Sequence, residues 1–189
     1  MHNSPQTKQK IIDTAIALFK EYGYEKVSIK QICQQLKFGR STFYYHFRTK
    51  EQILSEFYKP DKVFNTERMS WILTAESNIE RAFRIQLAYE KHIDSVGSTE
   101  AIIHYLASGM TKGFDENVVS AKEMKVLLMP IIKQCQELGE IKNPTDAETL
   151  CNVAINLQNG ILMKYCLSKG NLNREEMLIS SLKALYCIE

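Results

Sequence analysis

Apolar residues recur three and four positions apart along almost the whole chain, a spacing that leaves room for helices and for little else. Ser4-Pro5 reads as an N-cap followed by proline at the first helical position, and Ile11, Ile12, Ala15, Leu18, Phe19 and Tyr22 continue the stripe until Gly23 stops it. Ser28 with Gln31 forms a capping box ahead of Ile29, Ile32, Cys33 and Leu36. Gly39 interrupts, a short segment from about Arg40 to Phe47 follows, and Thr49 with Gln52 opens a helix whose inward face is Ile53, Leu54 and Phe57. Pro60 ends or kinks it. Further periodic segments occupy roughly 62–74, 78–95, 99–111, 121–138, 146–168 and 174–187. Ser120 with Glu123, Thr145 with Glu148 and Asn173 with Glu176 supply caps, Gly139 and Gly170 supply stops, and Pro130 is expected to kink or divide its segment. Thr111–Val119 is the expected loop. The fold class that follows is all-α, with about nine helices.

The chain has 189 residues, enough for one domain or two small ones. With 44% hydrophobic and 24% charged residues, and only 8 Gly and 4 Pro, collagen-like and disordered readings are excluded. The richest apolar stretch, Val126–Ile132, is interrupted by Pro130 and is far shorter than the roughly 18 to 20 residues that cross a bilayer. Met1–Lys10 is polar, so a soluble cytoplasmic protein is expected, with no membrane partner. The five cysteines are widely spaced with no CxxC pair, and read as small buried hydrophobes. His2, His46, His92 and His104 have no metal-binding spacing, so neither metal nor cofactor is expected. A small helical enzyme would have only His92, His104 and Cys135 to draw on. There is no Gly-rich phosphate loop, no paired carboxylates and no nucleophile arrangement, so no catalytic residue is assigned.

The net charge of +2 divides unevenly: residues 1–59 hold ten Lys/Arg against five Asp/Glu, or +5, and residues 60–189 hold fourteen against seventeen, or −3. A basic first third on a mildly acidic remainder suits contact with a polyanion. Within that third, residues 28–47 form a unit: a capped two-turn helix, a tight turn at Lys37-Phe38-Gly39, and a second short helix. This is helix-turn-helix spacing, in which the second helix enters the major groove of DNA. Phe38, Phe43 and Phe47 are spaced to anchor that helix inward, which leaves Arg40, Ser41, Thr42, Tyr44, Tyr45 and His46 on or near its outward face. Basic and hydroxyl groups displayed together suit phosphate contact and base-edge readout.

The run Gly39-Arg40-Ser41-Thr42-Phe43-Tyr44-Tyr45-His46-Phe47-Arg48-Thr49-Lys50-Glu51 resembles the DNA-binding segment of TetR/AcrR-type transcriptional regulators, as do Ala15, Leu18-Phe19, Gly23 and Ser28-Ile29 with Ile32 upstream. The resemblance covers roughly residues 5–58. The chain departs from the pattern at Leu36-Lys37, where the family commonly has Ala-Gly, and at Ser41, where it commonly has Gly. The resemblance implies a three-helix DNA-binding domain over 1–58 and a helical effector-binding and dimerisation domain over 59–189. It also implies that Ser28 caps the second helix and faces a phosphate, that Tyr44, Tyr45 and His46 contact backbone and base edges, and that Lys50 reaches the adjacent phosphate. Lys37 adds charge at the turn, and Arg40 and Thr42 are the candidates for direct base readout.

For the remainder, the segment 146–168 is apolar over more than one face, and the final segment carries a packing stripe. Leu150, Ala154, Leu157, Ile161, Leu178, Leu182 and Leu185 are the expected interface of a homodimer, which would match a palindromic double-stranded operator, with Gly160 allowing close approach. Phe64, Trp71, Phe83, Tyr89, His92, Tyr105, Met110, Phe114, Met129 and Asn159 are the pocket candidates. No charged cluster stands out among them, so the expected effector is apolar or aromatic. A ligand-responsive repressor is the reading that follows. The alternative on the same fold is an architectural or cell-division factor without an effector.

Overall fold

The computed structural model describes residues 4–112 and 121–188. Eleven helices lie among them: α1 Pro5–Tyr22, α2 Ile29–Leu36, α3 Arg40–His46, α4 Glu51–Phe57, α5 Pro60–Val63, α6 Thr66–Leu73, α7 Asn78–Asp94, α8 Thr99–Lys112, α9 Ala121–Glu137, α10 Ala147–Leu167 and α11 Arg174–Tyr186. The class is all-α, as the apolar spacing requires. The expected segment 62–74 divides in two, which adds one helix to the count: Pro60 opens a single turn of its own, and Asn65 then caps a new helix by accepting from the Arg68 N–H at 2.9 Å.

Local chemistry sets most of the boundaries. The Ser4 side chain accepts from the Thr7 N–H, with Pro5 just inside α1, and Gly23 at φ 86° ends the helix by bonding Phe19. The Ser28–Gln31 capping box is complete. Two caps fall elsewhere than expected. Gln52 accepts from the Arg48 N–H at 2.6 Å instead of boxing with Thr49, and α4 has no side-chain cap. At α10 the capping oxygen belongs to Asp146, which accepts from Thr149, and not to Thr145. α9 runs through Pro130 undivided. The Thr111–Val119 loop and the Ser120 cap fall largely outside the described residues.

The packing forms two compact units, one of residues 1–59 with 93–118 and the other of residues 60–92 with 119–189. In the first, Ile11, Ile12, Ala15 and Phe19 of α1 share a core with Ile32, Phe43, Phe47, Ile53 and Leu54. α8 packs on α4, and the Tyr58 and Tyr105 rings stack with centroids 4.3 Å apart. In the second, α10 lies between α9 and α11, burying Leu128, Ile132, Leu150, Ala154, Ile161, Leu178 and Leu182. Cys33, Cys135, Cys151 and Cys166 are buried, as expected of small hydrophobes, whereas Cys187 is exposed.

The same burial takes up five of the seven residues of the expected dimer face. Leu150, Ala154, Ile161, Leu178 and Leu182 already lie in the core of the single chain, and Leu157 and Leu185 are half-buried. A side chain buried within its own unit offers no surface to a second copy. The pocket candidates are likewise redistributed. Tyr105 and Met110 belong to the first unit, and Phe64, Trp71, Phe83, Tyr89, His92, Met129 and Asn159 to the second. Met110 and Asn159 are exposed, and Phe114 lies outside the described residues. The Trp71 ring is faced by the Lys91 ammonium at 4.2 Å and the Arg84 guanidinium at 5.3 Å.

Candidate nucleic-acid interface

The turn that sets α3 against α2 is closed by backbone bonds. The Phe38 N–H donates to the Cys33 carbonyl and the Lys37 N–H to the Gln34 carbonyl, both at 3.1 Å, the pairing of a Schellman motif. That motif needs a left-handed residue, and Lys37 takes the position at φ 56° without glycine's freedom. Its side chain is exposed at the turn.

α3 is amphipathic across its seven residues. Phe43 is 0% and Phe47 2% exposed, with ring centroids 5.9 Å apart, and they fasten the helix to the core. Phe38 is only half-buried, so two aromatics carry the anchoring, not three. Opposite them, Tyr44 is 53% and Tyr45 64% exposed, and the Tyr45 ring meets the His46 ring edge-on at 4.9 Å. Arg40 and Ser41 are exposed, while Thr42 and His46 are half-buried on one edge of the outward face. Burying a tyrosine body of this size is favourable, so two tyrosines side by side in solvent are a display feature that packing does not require.

Ser28 sits at the start of α2 and is exposed, but both its donors are used internally. Its N–H and its hydroxyl donate to Gln31 Oε1 at 2.7 and 2.9 Å. A phosphate there would exchange with the Gln31 side chain.

Lys50 departs from the sequence expectation. Its ammonium donates to the carbonyls of Tyr24 at 2.7 Å and Val27 at 3.1 Å, and lies over the Tyr24 ring at 4.0 Å. These partners lie in the loop between α1 and α2, so Lys50 ties that loop to the start of α4 and does not extend toward a phosphate. Desolvation pushes its ammonium below the ordinary lysine range, against the opposing pull of Glu25 and Glu51. The Tyr24 hydroxyl donates to Glu51 at 3.1 Å. Burial would raise the Glu51 carboxyl, but hydrogen bonds from the backbone, Thr49 and Tyr24 outweigh it, and its pKa is lowered. On α8, His104 stacks on Tyr24 with centroids 4.7 Å apart and pairs with Glu25.

Three further exposed cations surround the motif: Lys26 and Lys30 beside Ser28, outside any motif signal, and Arg48 after α3, which lies in the resembling run with no role assigned to it. With Lys37 and Arg40 they make five basic side chains, none in a salt bridge among the described residues. For Lys26 and Lys30 the uneven charge division is the only trace in the sequence. An unneutralised basic rim around a displayed tyrosine face is the electrostatic footprint of a nucleic-acid contact.

Residues 11–57 match the family described as bacterial regulatory proteins, tetR family. The DNA-binding segment of the chain is that of the TetR family. The Transposon Tn10 TetC protein of Escherichia coli is 40% identical over 57 residues, which is 30% of this chain and 29% of that protein. The HTH-type transcriptional regulator UidR of Escherichia coli (strain K12) is 20% identical over 181 residues, covering 95% of this chain and 90% of that one. Among solved structures, the TetR-family transcriptional repressor FadR of Thermus thermophilus, in complex with lauroyl-CoA, shares the fold with a TM-score of 0.64 at 13% identity, covering 94% of this chain and 92% of that one. The chain is thus a DNA-binding transcriptional regulator of the TetR type.

Proposed function

We propose that the chain is a ligand-responsive homodimeric repressor that binds a palindromic operator in the cytoplasm and is released by a small molecule held in its second unit. The observation that carries the reading is the outward face of α3. Arg40 and Tyr44 on one flank, Ser41 and Tyr45 at the centre and Thr42 on the other flank enter the major groove. Lys26, Lys30, Lys37 and Arg48 meet phosphates, and Ser28 closes on one at the start of α2. Residues 1–58 act as the DNA-binding domain and residues 59–189 as the effector and dimerisation domain.

The dimer forms through the face of α10 that the single chain leaves open. Val153, Gly160 and Leu167 recur seven residues apart; Val153 and Leu167 are exposed, and a side-chain carbon added at Gly160 would meet nothing within 4 Å among the described residues. Leu157 and, on α11, the half-buried Met177 and Ser181 with the exposed Ala184 extend that strip. A two-fold pair fixes the separation of two recognition helices, so a ligand that changes the separation weakens binding by the 1 to 3 kcal/mol typical of allosteric coupling, or about 5- to 150-fold.

The test is duplex selection from random sequence followed by fluorescence anisotropy over a salt series. A palindromic consensus, bound with a steep negative dependence of log K on log salt, is expected. Absence of any selected sequence, or binding indifferent to salt, contradicts the reading.

A further inference from the structure

The second unit buries a polar cluster that links α7 to α10 and α11. Gln86 and Glu90 stand one turn apart on α7, Gln158 faces them from α10, and Arg174 enters from the first residue of α11; all four are less than 5% exposed. The Arg174 guanidinium pairs with Glu90 at 2.8 Å and lies 4.5 Å from the centre of the Tyr165 ring. The Gln158 amide N–H group donates to the Gln86 carbonyl at 3.0 Å and to Glu90 at 2.7 Å. That of Gln86 donates to the Tyr186 hydroxyl at 3.4 Å, and Phe83 meets the Tyr186 ring edge-on at 6.2 Å.

The pattern is one-sided. The side-chain nitrogens of both glutamines are engaged, whereas Gln86 Oε1 and Gln158 Oε1 receive no hydrogen bond from the described residues. Buried amide oxygens are rarely left in that condition, because losing water without gaining a donor is unfavourable. Hydrophobic side chains of similar volume would fill the same positions without that cost.

We infer that this cluster is the recognition site for the effector, and that the effector is a compact, uncharged molecule carrying several O–H or N–H donors, a polyol or monosaccharide being the simplest class. This rests on the proposed function, in which a small molecule controls DNA affinity. The ligand is a donor because the two unmet atoms are acceptors. It is uncharged because Glu90 and Arg174 already neutralise each other in a desolvated setting, and a charged guest would have to break that pair. Tyr165, whose ring the Arg174 guanidinium covers, and the buried Tyr186 set aromatic side chains beside the polar atoms. The site therefore replaces the apolar or aromatic effector expected from sequence with a polar one.

The experiment is thermal shift and isothermal calorimetry on the full chain without DNA, using myo-inositol, glucose, galactose, ribose and urea as neutral donors, with choline and decanoate as charged and apolar controls. At a hundred-fold excess over Kd, a neutral donor raises Tm by about 5 to 10 °C. The double variant Gln86→Leu with Gln158→Leu abolishes the rise, as does the single variant Gln158→Met, which keeps an unbranched side chain should the double variant fail to fold. Both leave ligand-free operator affinity unchanged. The inference is overturned if only choline or decanoate shifts the wild type, if no neutral donor does so, or if the Gln158→Met protein still responds. Calorimetry needs no operator, so failure of the repressor reading is registered separately, as loss of duplex binding by the ligand-free wild type.

Discussion

Replacing Lys50 with methionine removes an ammonium but keeps an unbranched stem, and so separates a brace from a phosphate contact. The structure gives that ammonium two carbonyl acceptors, on Tyr24 and Val27, and a ring face at 4.0 Å. Hydrogen bonds from a charged donor contribute about 1.5 to 3 kcal/mol each, and a half-exposed cation over a ring about 0.5 to 1 kcal/mol. Against this stands the desolvation that lowers the Lys50 pKa, and the Tyr24 carbonyl keeps a second, longer bond from the Val27 N–H at 3.4 Å. A net loss of about 2 kcal/mol is therefore expected, or a Tm lower by roughly 4 to 8 °C for a chain of this size. The loop between α1 and α2 leads directly into the Ser28 cap, so operator affinity falls too, by at most about thirty-fold if the whole 2 kcal/mol goes into displacing the loop. The slope of log K against log salt stays the same, because no phosphate contact is lost. Anisotropy at four salt concentrations and a thermal melt read both quantities. A slope reduced by about 0.9, with Tm unchanged, would mean that Lys50 neutralises a phosphate and braces nothing.

The remaining predictions concern other positions. Lys37→Gly relieves the left-handed residue at φ 56° and should stabilise the chain by about 0.5 to 1 kcal/mol while lowering the salt slope by about 0.9; a lower Tm would contradict the turn geometry. The Glu51 carboxyl, and that of Glu56, where pairing with Lys8 and Lys59 at 2.8 Å each outweighs burial, are both lowered from the ordinary 4.5, so their contribution is present above that pH and is lost as pH falls through the lower folded values. Glu51→Gln with Glu56→Gln should flatten the acid limb of the stability curve, and an unchanged limb in urea titrations below that pH would refute the linkage. A Cβ at Gly160 meets none of the described residues within 4 Å, so Gly160→Arg points its side chain into the proposed seam and blocks it. Dimerisation should weaken at least ten-fold, about 1.4 kcal/mol, with helical circular dichroism retained, and a dimer of wild-type strength in sedimentation would place the interface elsewhere.

Most of the fold is readable because helix signals are local. The Ser28–Gln31 box, the Gly23, Gly139 and Gly170 stops and the Asn173 cap each depend on residues within a few positions of one another. What the sequence hides depends on tertiary contacts. The apolar stripe of α10 suggests an interface because it is broad, yet Leu150, Ala154 and Ile161 use it to meet α9 and α11 inside one chain. The face left outside mixes Val153, Gly160 and Leu167 with Asn156 and Lys164, and does not stand out in a hydropathy pattern. Lys50 looks like a surface cation because its acceptors are carbonyls 23 and 26 residues away, and a backbone carbonyl leaves no mark in the sequence. Gln86, Glu90, Gln158 and Arg174 escape notice for a related reason: polar residues at core positions of a helix read as solvent-facing until the partner helix is in place. The display of Tyr44 and Tyr45 is legible because Phe43 and Phe47 fix the rotation of α3 with nothing from outside the motif.

The recognition face itself is tested most directly by base-by-base affinity of Arg40→Ala compared with Lys30→Ala on a selected operator and its single-base variants. Arg40→Ala should cost about 1 to 3 kcal/mol and lose discrimination at one base pair of each half-site, whereas Lys30→Ala should weaken every sequence alike and lower the salt slope by about 0.9. Wild-type discrimination at every base pair in proteins lacking Arg40, and likewise in proteins lacking both Tyr44 and Tyr45, would mean that α3 does not read the duplex.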